Sequence, residues 1–214
     1  MSNLNKRILT SFPLLIIAAY AVYNNFILIL SLYIISAILI YEFSNILINI
    51  FKKNKICSFI FLNLFILYIC LFTSQIYFFL SGEFENKQTI FLLILSICIF
   101  TDIGGYIFGK IFKGKKLTSI SPNKTYSGMI GSFISSLIVS MLFISYFNLS
   151  FYLTFFTFLI SLISQSGDLF ISYLKRKAGI KDTGNFLPGH GGLLDRMDGM
   201  IFAIPIGIKI FVFF

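Results

Sequence analysis

Long apolar runs dominate this chain and constrain its fold more than any single motif does. Of its 214 residues, 57% are hydrophobic and only 12% are charged, whereas soluble domains carry about 25% charged residues. A helix of about 20 apolar residues crosses the hydrocarbon core of a bilayer. The composition therefore predicts an all-α, polytopic integral membrane helical bundle.

Seven apolar segments are long enough to span a membrane, and we expect a cytoplasmic N-terminus. We place these segments near residues 8–23, 26–48, 56–80, 89–109, 126–146, 149–174 and 194–213. They use nearly all of the chain, so we predict one membrane domain over residues 1–214, with N-terminal scaffold helices (1–88) and a catalytic half (89–214). Since no small-residue cleavage site follows the first run, we interpret it as a retained span.

The net charge of +9 could indicate nucleic-acid binding, but the basic residues are distributed as membrane topology predicts. With a cytoplasmic N-terminus, only Lys87 and Lys209 of the 17 lysines and arginines fall on the outer side, as the positive-inside rule requires. Loops 110–125 and 175–193 then share the cytoplasmic face. We therefore expect a multi-pass protein of the cell inner membrane whose active site faces the cytoplasm.

Glycine and paired charge are concentrated in the second half of the chain. Gly82 is the only one of the 15 glycines that precedes Gly104. In membranes, glycine lets helices approach closely or lets the backbone approach a ligand. Residues 1–88 thus resemble scaffold and lipid contact, and we interpret Glu42, their one carboxylate near a span, as an interfacial residue and not a ligand.

Two polar clusters lie near the end of the fourth predicted span. Asp102 is an ionisable group at membrane depth, which is costly and marks a polar site, although a structural hydrogen bond or helix packing through Gly105-xxx-Gly109 stays an alternative. The loop at 110–131 supplies ammonium groups, hydroxyls and backbone amides suited to phosphate. Three of its lysines fit a patch on anionic lipid equally well: Lys113, Lys115 and Lys116.

A third cluster lies at the end of the sixth predicted span. Four of its side chains line one helical stripe: Ser164, Asp168, Ser172 and Lys175. A bare aspartate at this depth costs on the order of 3 kcal/mol, which a metal or a lysine could offset. In the last span Asp195 and Asp198 share a face. We predict that Asp168 and Asp195 meet at a cation across two helices, with Asp198 close by.

The segment 172–198 combines hard oxygen donors with phosphate-binding cations. The donors are Asp182, Asp195 and Asp198, and the cations are Lys175, Arg176, Lys177, Lys181 and Arg196. The segment also holds the chain's only histidine, His190, in a loop. We expect His190 to bind a phosphate or a base, with a purely structural role as the alternative.

The order of these residues resembles the signature of the phosphatidate cytidylyltransferase (CDP-diacylglycerol synthase) family. The matching positions are Ser172, Lys175-Arg176, Lys181-Asp182, Gly184, Leu187-Pro188, His190-Gly191-Gly192 and Asp195-Arg196-x-Asp198. A second segment resembles the family through Ser121-Pro122-x-Lys124-Thr125, Gly128 and Gly131. The resemblance covers about residues 101–213.

The resemblance implies transfer of a cytidylyl group from CTP to phosphatidic acid, giving CDP-diacylglycerol and pyrophosphate. It also implies Mg²⁺, a second cation such as K⁺, contact with membrane lipids, and a homodimer. The expected catalytic residues are Asp168, Lys175, Asp195 and Arg196, and the expected metal ligands are Asp168, Asp195 and Asp198. The expected substrate contacts are Asp102, Ser121, Lys124, Thr125, Ser172, Arg176, Lys181, Asp182, His190, Gly191 and Gly192.

Two rival classes of protein also place charge among apolar helices. A transporter or channel more often shows paired broken segments in two related halves, and no such pair stands in this sequence. A CTP-dependent lipid kinase, or a synthase acting on another lipid, would use similar chemistry. Labelled CTP separates the classes, because an α-label enters lipid only in cytidylyl transfer and a γ-label only in a kinase reaction.

Overall fold

The computed structural model describes residues 20–118, 121, 124–184, 186 and 191–213. Its helices in these ranges are α1 (Asn25–Ile50), α2 (Lys55–Ser81), α3 (Lys87–Phe112), α4 (Tyr126–Tyr146), α5 (Leu153–Lys177), α6 (Leu194–Met197) and α7 (Met200–Phe213). Five of them, α1 to α5, are long and apolar enough to cross a membrane. The predicted all-α polytopic bundle is therefore confirmed.

Polar side chains fix where three of the long helices begin. The Asn24 side chain accepts hydrogen bonds from the first amides of α1, and Asn54 accepts one from the Cys57 amide at the start of α2. Thr125 does the same for the Gly128 amide of α4. The first four amides of a helix lack partners within the helix. These caps bind some of them and so define the residue at which each helix begins.

The predicted span 194–213 is wrong as one continuous helix. The chain forms the short helix α6, turns at Asp198 and Gly199, and then forms α7 of 14 residues. At 1.5 Å per residue α7 is roughly 21 Å long, which is shorter than the hydrocarbon core of about 30 Å. Asp195 and Asp198 precede α7 and accept hydrogen bonds from backbone amides, so the apolar helix does not extend through them. The first predicted span, 8–23, falls mostly outside the described residues.

The described residues cluster into two compact units. Among the described residues, the first unit comprises 20–84 and 174–197, and the second comprises 85–173 and 198–213. In the first unit α1 packs against α2, where the rings of Phe43 and Phe65 stack with their centroids 3.8 Å apart. In the second unit α3 packs against α4 and α7.

Polar contacts join the helices of the second unit inside an apolar environment. The Thr101 hydroxyl of α3 donates to Ser161 Oγ of α5 at 2.9 Å. The hydroxyls of Ser140 on α4 and Thr157 on α5 lie 2.6 Å apart. All four side chains are buried. Since lipid offers no alternative partners, such bonds favour one register between neighbouring helices.

Helices α3 and α4 approach each other closely along a row of small residues. The Ser132 hydroxyl donates to the Thr101 carbonyl at 2.7 Å, and the Ser135 hydroxyl donates to the Phe100 carbonyl at 2.7 Å. A Cβ placed at Gly104 would lie 1.8 Å from Ser135 Oγ and 2.6 Å from the Gly131 carbonyl oxygen. Gly105 and Gly109 also face α4, since Cβ atoms there would lie 2.7 Å from Ser132 Oγ and 3.6 Å from the Gly128 Cα, so Gly105-xxx-Gly109 takes part in helix packing.

Replacing Gly104 by alanine should destabilise the second unit. Ser135 can rotate away from the new methyl group, but the Gly131 backbone cannot, so we expect Gly104→Ala to cost about 1–3 kcal/mol. Thermal unfolding in detergent measures the loss. Ser96→Ala is the matched control on α3, because the Ser96 hydroxyl donates to the Leu92 carbonyl of the same helix. Equal unfolding temperatures for the two variants would contradict the close-packing interpretation.

Candidate active site

A cavity of about 280 Å³ lies within the second unit. Its walls come from α3, from the segment before α4, and from α4 and α5. Five predicted site residues line it: Asp102, Ser121, Lys124, Thr125 and Asp168. The structure thus gathers all three polar clusters of the catalytic half around one space.

Lys124 and Asp168 form an ion pair at this cavity. Their side chains keep 27% and 25% of their surface exposed, so both reach the cavity. The Ser172 hydroxyl, one helical turn further along α5, donates to the other oxygen of Asp168 at 3.3 Å. Breaking such a pair on one side leaves an uncompensated charge, which is strongly unfavourable in apolar surroundings.

Backbone hydrogen bonds close the segment that carries Lys124. The Leu117 amide donates to the Lys124 carbonyl at 2.8 Å, and the Tyr126 amide donates to the Lys115 carbonyl at 3.1 Å. These bonds flank an isolated antiparallel bridge between Lys116 and Thr125. The Lys124 backbone is therefore held at the start of α4, where Thr125 also caps the helix.

Gln165 belongs to this cavity and was missed by the sequence-based prediction. It lines the cavity one turn before Asp168 on α5, and its side-chain amide lies 3.4 Å from Ser161 Oγ. The helical spacing could have predicted this position, because residues 165 and 168 are three apart and lie on the same face of α5. Thr101, Tyr106 and Ser132 complete the polar lining.

A second polar cluster lies in the first unit, around Asp195 at the start of α6. Lys175 Nζ donates to Asp195 Oδ1 at 2.8 Å. The amides of Thr183 and Gly192 donate to Oδ2 at 2.8 and 3.1 Å, and the Thr183 hydroxyl lies 3.0 Å from the same oxygen. The predicted residues Lys175, Gly192 and Asp195 are therefore brought together, and Thr183 joins them.

The electrostatics of this cluster favour an ionised Asp195. Burial raises the pKa of this carboxyl group, but four interactions together outweigh burial and hold the pKa below its ordinary value of 3.8. They are the side-chain hydrogen bond from Lys175, the amide of Thr183, the positive charge of Lys175, and the amide of Gly192. The cluster is thus built around a carboxylate anion.

Glu42 is a member of this cluster that the sequence did not reveal. The interpretation of Glu42 as an interfacial residue is wrong, because only 1% of its surface is exposed. Its carboxylate accepts hydrogen bonds from the Thr183 hydroxyl and from the amides of Leu193 and Leu194, at 2.9, 2.9 and 2.7 Å. A residue of the expected scaffold therefore holds the loop that carries the signature.

The remaining predicted residues differ in their surroundings. Four are exposed: Arg176, Lys181, Asp182 and Arg196. Gly191 has a φ of 83°, in the region that favours glycine. Asp198 is 7% exposed, and its Oδ1 accepts a hydrogen bond from the Gly199 amide at 2.9 Å. The predicted contact by His190 lies outside the described residues.

The donor chemistry of the second unit fits a hard cation. Asp102 and Asp168 line the same cavity with hydroxyl oxygens, and Mg²⁺ is commonly held by one or two carboxylates together with substrate phosphates. The Asp198 backbone lies beside α5, since a Cβ at Gly167 would approach its carbonyl oxygen to 2.9 Å. Within the described ranges, no group of three or more His, Cys, Asp or Glu side chains is arranged to hold a metal.

The cation predicted between Asp168 and Asp195 stays a prediction. The two residues belong to different compact units, and each is described in its own unit. Asp168 has a lysine and a serine as partners, and Asp195 has a lysine, two amides and a hydroxyl. Asp168 therefore keeps more acceptor capacity for a further ligand than Asp195 does.

Five apolar helices and a cavity with a lysine–carboxylate pair define a polytopic integral membrane protein with a charged site. A family model described as "Cytidylyltransferase family" matches residues 3–214. The chain therefore belongs to the cytidylyltransferase family, as its signature segment predicted.

Several similar proteins carry the name phosphatidate cytidylyltransferase. One from Rickettsia felis is 44% identical over 140 residues, which cover 60% of this chain and 60% of that protein. One from Helicobacter pylori is 38% identical over 141 residues, covering 64% and 53%. One from Staphylococcus haemolyticus is 50% identical over 110 residues, covering 50% and 42%. The chain thus spans 42–60% of the length of these relatives.

The stability that Asp195 contributes should depend on pH. Because its pKa is lowered in the folded protein, this contribution is fully present above the ordinary value of 3.8 and is lost as pH falls through the folded pKa. We expect Asp195→Asn to cost about 1–3 kcal/mol at neutral pH, and the difference from wild type to shrink under acid. Thermal unfolding in detergent between about pH 3 and pH 7 measures this.

The matched control is Asp182→Asn in the same loop, because Asp182 is exposed. Its unfolding temperature should follow that of the wild type across the whole pH range. A difference between wild type and Asp195→Asn that stays constant with pH would contradict the assignment.

Proposed function

We propose that this chain is a metal-dependent phosphatidate cytidylyltransferase that converts CTP and phosphatidic acid to CDP-diacylglycerol and pyrophosphate in phospholipid biosynthesis. The observation that carries the proposal is the cavity where Lys124, Asp168 and the helix-capping Thr125 meet. The family membership and the names of the relatives support the same reaction. A homodimer stays a prediction.

The reaction needs charge neutralisation more than covalent catalysis. An ionised oxygen of phosphatidic acid forms a bond to the α-phosphorus of CTP, and the bond between that phosphorus and the bridging oxygen to the β-phosphate breaks. Pyrophosphate leaves with the electron pair. Because the attacking phosphate is already ionised at neutral pH, no general base is required. The cavity offers one ammonium group and several hydroxyls to the phosphates, and two carboxylates that would hold a cation.

The residues of the second unit supply oxygen donors for a cation. Asp168 would hold Mg²⁺ with Asp102 or Asp198, and the ion would supply a positive charge that stabilises the anionic phosphates. Lys124 now neutralises Asp168. With Asp168 holding the cation, the Lys124 ammonium group would be free to bind a substrate phosphate as a point charge.

The signature segment, residues 172–198, contributes further cations to the proposed reaction, and its part between α5 and α6, residues 178–193, is the signature loop. Arg176, Lys181 and Arg196 are exposed, and guanidinium groups pair with phosphate through two parallel hydrogen bonds. Ser172 binds Asp168 through its hydroxyl and orients that carboxylate. Lys175 keeps Asp195 ionised. These roles, and those of His190 and a second cation such as K⁺, are proposals.

The proposed location is the cell inner membrane, with the active site facing the cytoplasm. If α1 to α5 each cross once, the connecting segments alternate between the two sides. The segments rich in lysine, 51–54 and 113–125, then lie on one side, and segment 82–86 lies on the other. The positive-inside rule assigns the lysine-rich side to the cytoplasm.

Labelled CTP tests the reaction directly. Purified protein with phosphatidic acid, magnesium and α-labelled CTP should yield labelled CDP-lipid, whereas γ-labelled CTP should leave lipid unlabelled. Transfer of the γ-label would identify a lipid kinase instead. Absence of both labels from lipid would refute the proposed reaction and leave a transport function.

Asp168→Asn should lower the turnover number by at least about a hundredfold. Asparagine keeps the size of the side chain but removes the charge that would hold a cation and that pairs with Lys124. The measurement is cytidylyl transfer at saturating magnesium. Glu85→Gln, an exposed carboxylate outside the site, is the control and should keep normal turnover. Near-normal turnover of Asp168→Asn would remove Asp168 from the catalytic machinery.

Cysteine labelling tests the orientation. In a background without the three native cysteines, we expect an impermeant thiol reagent to label Glu83→Cys on spheroplasts but not Lys115→Cys, because exposed Glu83 and Lys115 lie in segments of opposite sides. Both variants should react after lysis, which controls for accessibility. Labelling of Lys115→Cys alone on spheroplasts would reverse the proposed orientation.

A further inference from the structure

Glu42 is a buried carboxylate and the one charged residue of the largely apolar helix α1. It stands among buried hydrophobic neighbours on α1, including Leu39, Phe43 and Ile46. A carboxylate in such surroundings is strongly unfavourable unless hydrogen bonds compensate its burial. Its presence therefore calls for partners, and the first unit supplies them from a distant part of the sequence.

The partners of Glu42 all belong to the signature loop and the start of α6. Its Oε1 accepts the Leu193 amide, and its Oε2 accepts the Leu194 amide and the Thr183 hydroxyl. The same Thr183 hydroxyl lies 3.0 Å from Asp195 Oδ2, and the Thr183 amide donates to that oxygen at 2.8 Å. Thr183 thus links the two carboxylates.

The loop is shaped to admit this carboxylate. A Cβ at Gly192 would lie 2.6 Å from Glu42 Oε2 and 2.0 Å from Thr183 Oγ1, and a Cβ at Gly184 would lie 2.9 Å from Glu42 Oε1. Only glycine fits at these two positions without displacing Glu42 or Thr183. Two of the signature glycines therefore make room for a side chain of α1.

We propose that Glu42 is a positioning residue for the reaction proposed above, acting through Thr183 and the amides of Leu193 and Leu194 to hold Asp195 in place. The inference rests on the proposed function, because it assigns Asp195 to the site of cytidylyl transfer. Glu42 touches neither substrate in this role. Through Glu42, helix α1 supports the signature loop.

The chemistry of the contacts requires a carboxylate and not an amide. Both oxygens of Glu42 accept backbone amides, so a glutamine would place its NH₂ group against either the Leu193 or the Leu194 donor. An aspartate keeps both acceptors on a shorter side chain. We therefore expect activity to fall from wild type through Glu42→Asp to Glu42→Gln.

The experiment compares Glu42→Gln, Glu42→Asp and Thr183→Val with the control Ser44→Ala. The Ser44 hydroxyl donates within its own helix, to the Tyr41 carbonyl. Thr183→Val keeps the shape of the side chain and removes the hydroxyl between the carboxylates. Two readouts are used: steady-state kinetics of cytidylyl transfer, and hydrogen exchange of the peptide containing Leu193 and Leu194 in protein without CTP or phosphatidic acid.

Glu42→Gln should lower kcat by about tenfold or more while the KM for phosphatidic acid changes by less than about threefold. Exchange in the peptide should accelerate by about tenfold or more. Thr183→Val should change both readouts in the same direction and unfold at a temperature close to that of wild type, so it decides the matter if Glu42→Gln does not fold. Ser44→Ala should match wild type in both.

Two results would overturn the proposal. One is unchanged exchange and kcat in both Glu42→Gln and Thr183→Val. The other is a loss of kcat that tracks a loss of thermal stability in every variant, which would make Glu42 a general stabiliser of the fold. If the wild-type protein makes no CDP-lipid, the proposed function fails, and with it the catalytic part of the inference. Faster exchange in Glu42→Gln and Thr183→Val would then still support the contact that holds the loop, and unchanged exchange would overturn that contact as well.

Discussion

A carboxylate inside a membrane helix must find its compensating partners within the chain, because lipid supplies none. This requirement organises the polar structure of both compact units. In the second unit Asp168 meets Lys124 at the cavity, and in the first unit Glu42 meets two amides and a hydroxyl of the signature loop. The loops are therefore held where the helices place their carboxylates.

Small residues make these contacts geometrically possible. In the second unit Gly104 and Gly131 let α3 and α4 come close enough for serine hydroxyls to reach carbonyls of the neighbouring helix. In the first unit Gly184 and Gly192 leave the space that the Glu42 carboxylate occupies. The concentration of glycine after residue 100 thus has two causes, close helix packing and close approach of a loop to a side chain. Both reduce the distance between polar groups that lack access to water.

The apolar runs predict most of the fold, and they fail where polar residues interrupt the pattern. The predicted span 126–146 coincides with α4, and the predicted spans 26–48 and 56–80 differ from α1 and α2 by one or two residues at each end. The segment 194–213 was misread because hydropathy does not register that Asp195 and Asp198 take backbone partners and end the helix. Spacing along α5 placed Asp168 correctly on the face of the cavity.

Partners that are distant in sequence explain why Glu42 was misread. Its contacts lie more than 140 residues away along the chain, and no local periodicity reports such a pairing. The same limit applies to Asp195, whose acceptor positions are largely used by Lys175, Thr183 and Gly192. A carboxylate that is already saturated by the chain anchors a loop, whereas one held by a single lysine and a serine can exchange that lysine for a bound cation. On this argument, Asp168 is better placed than Asp195 to hold the proposed cation, and Asp195 is better placed to fix the loop of its own unit.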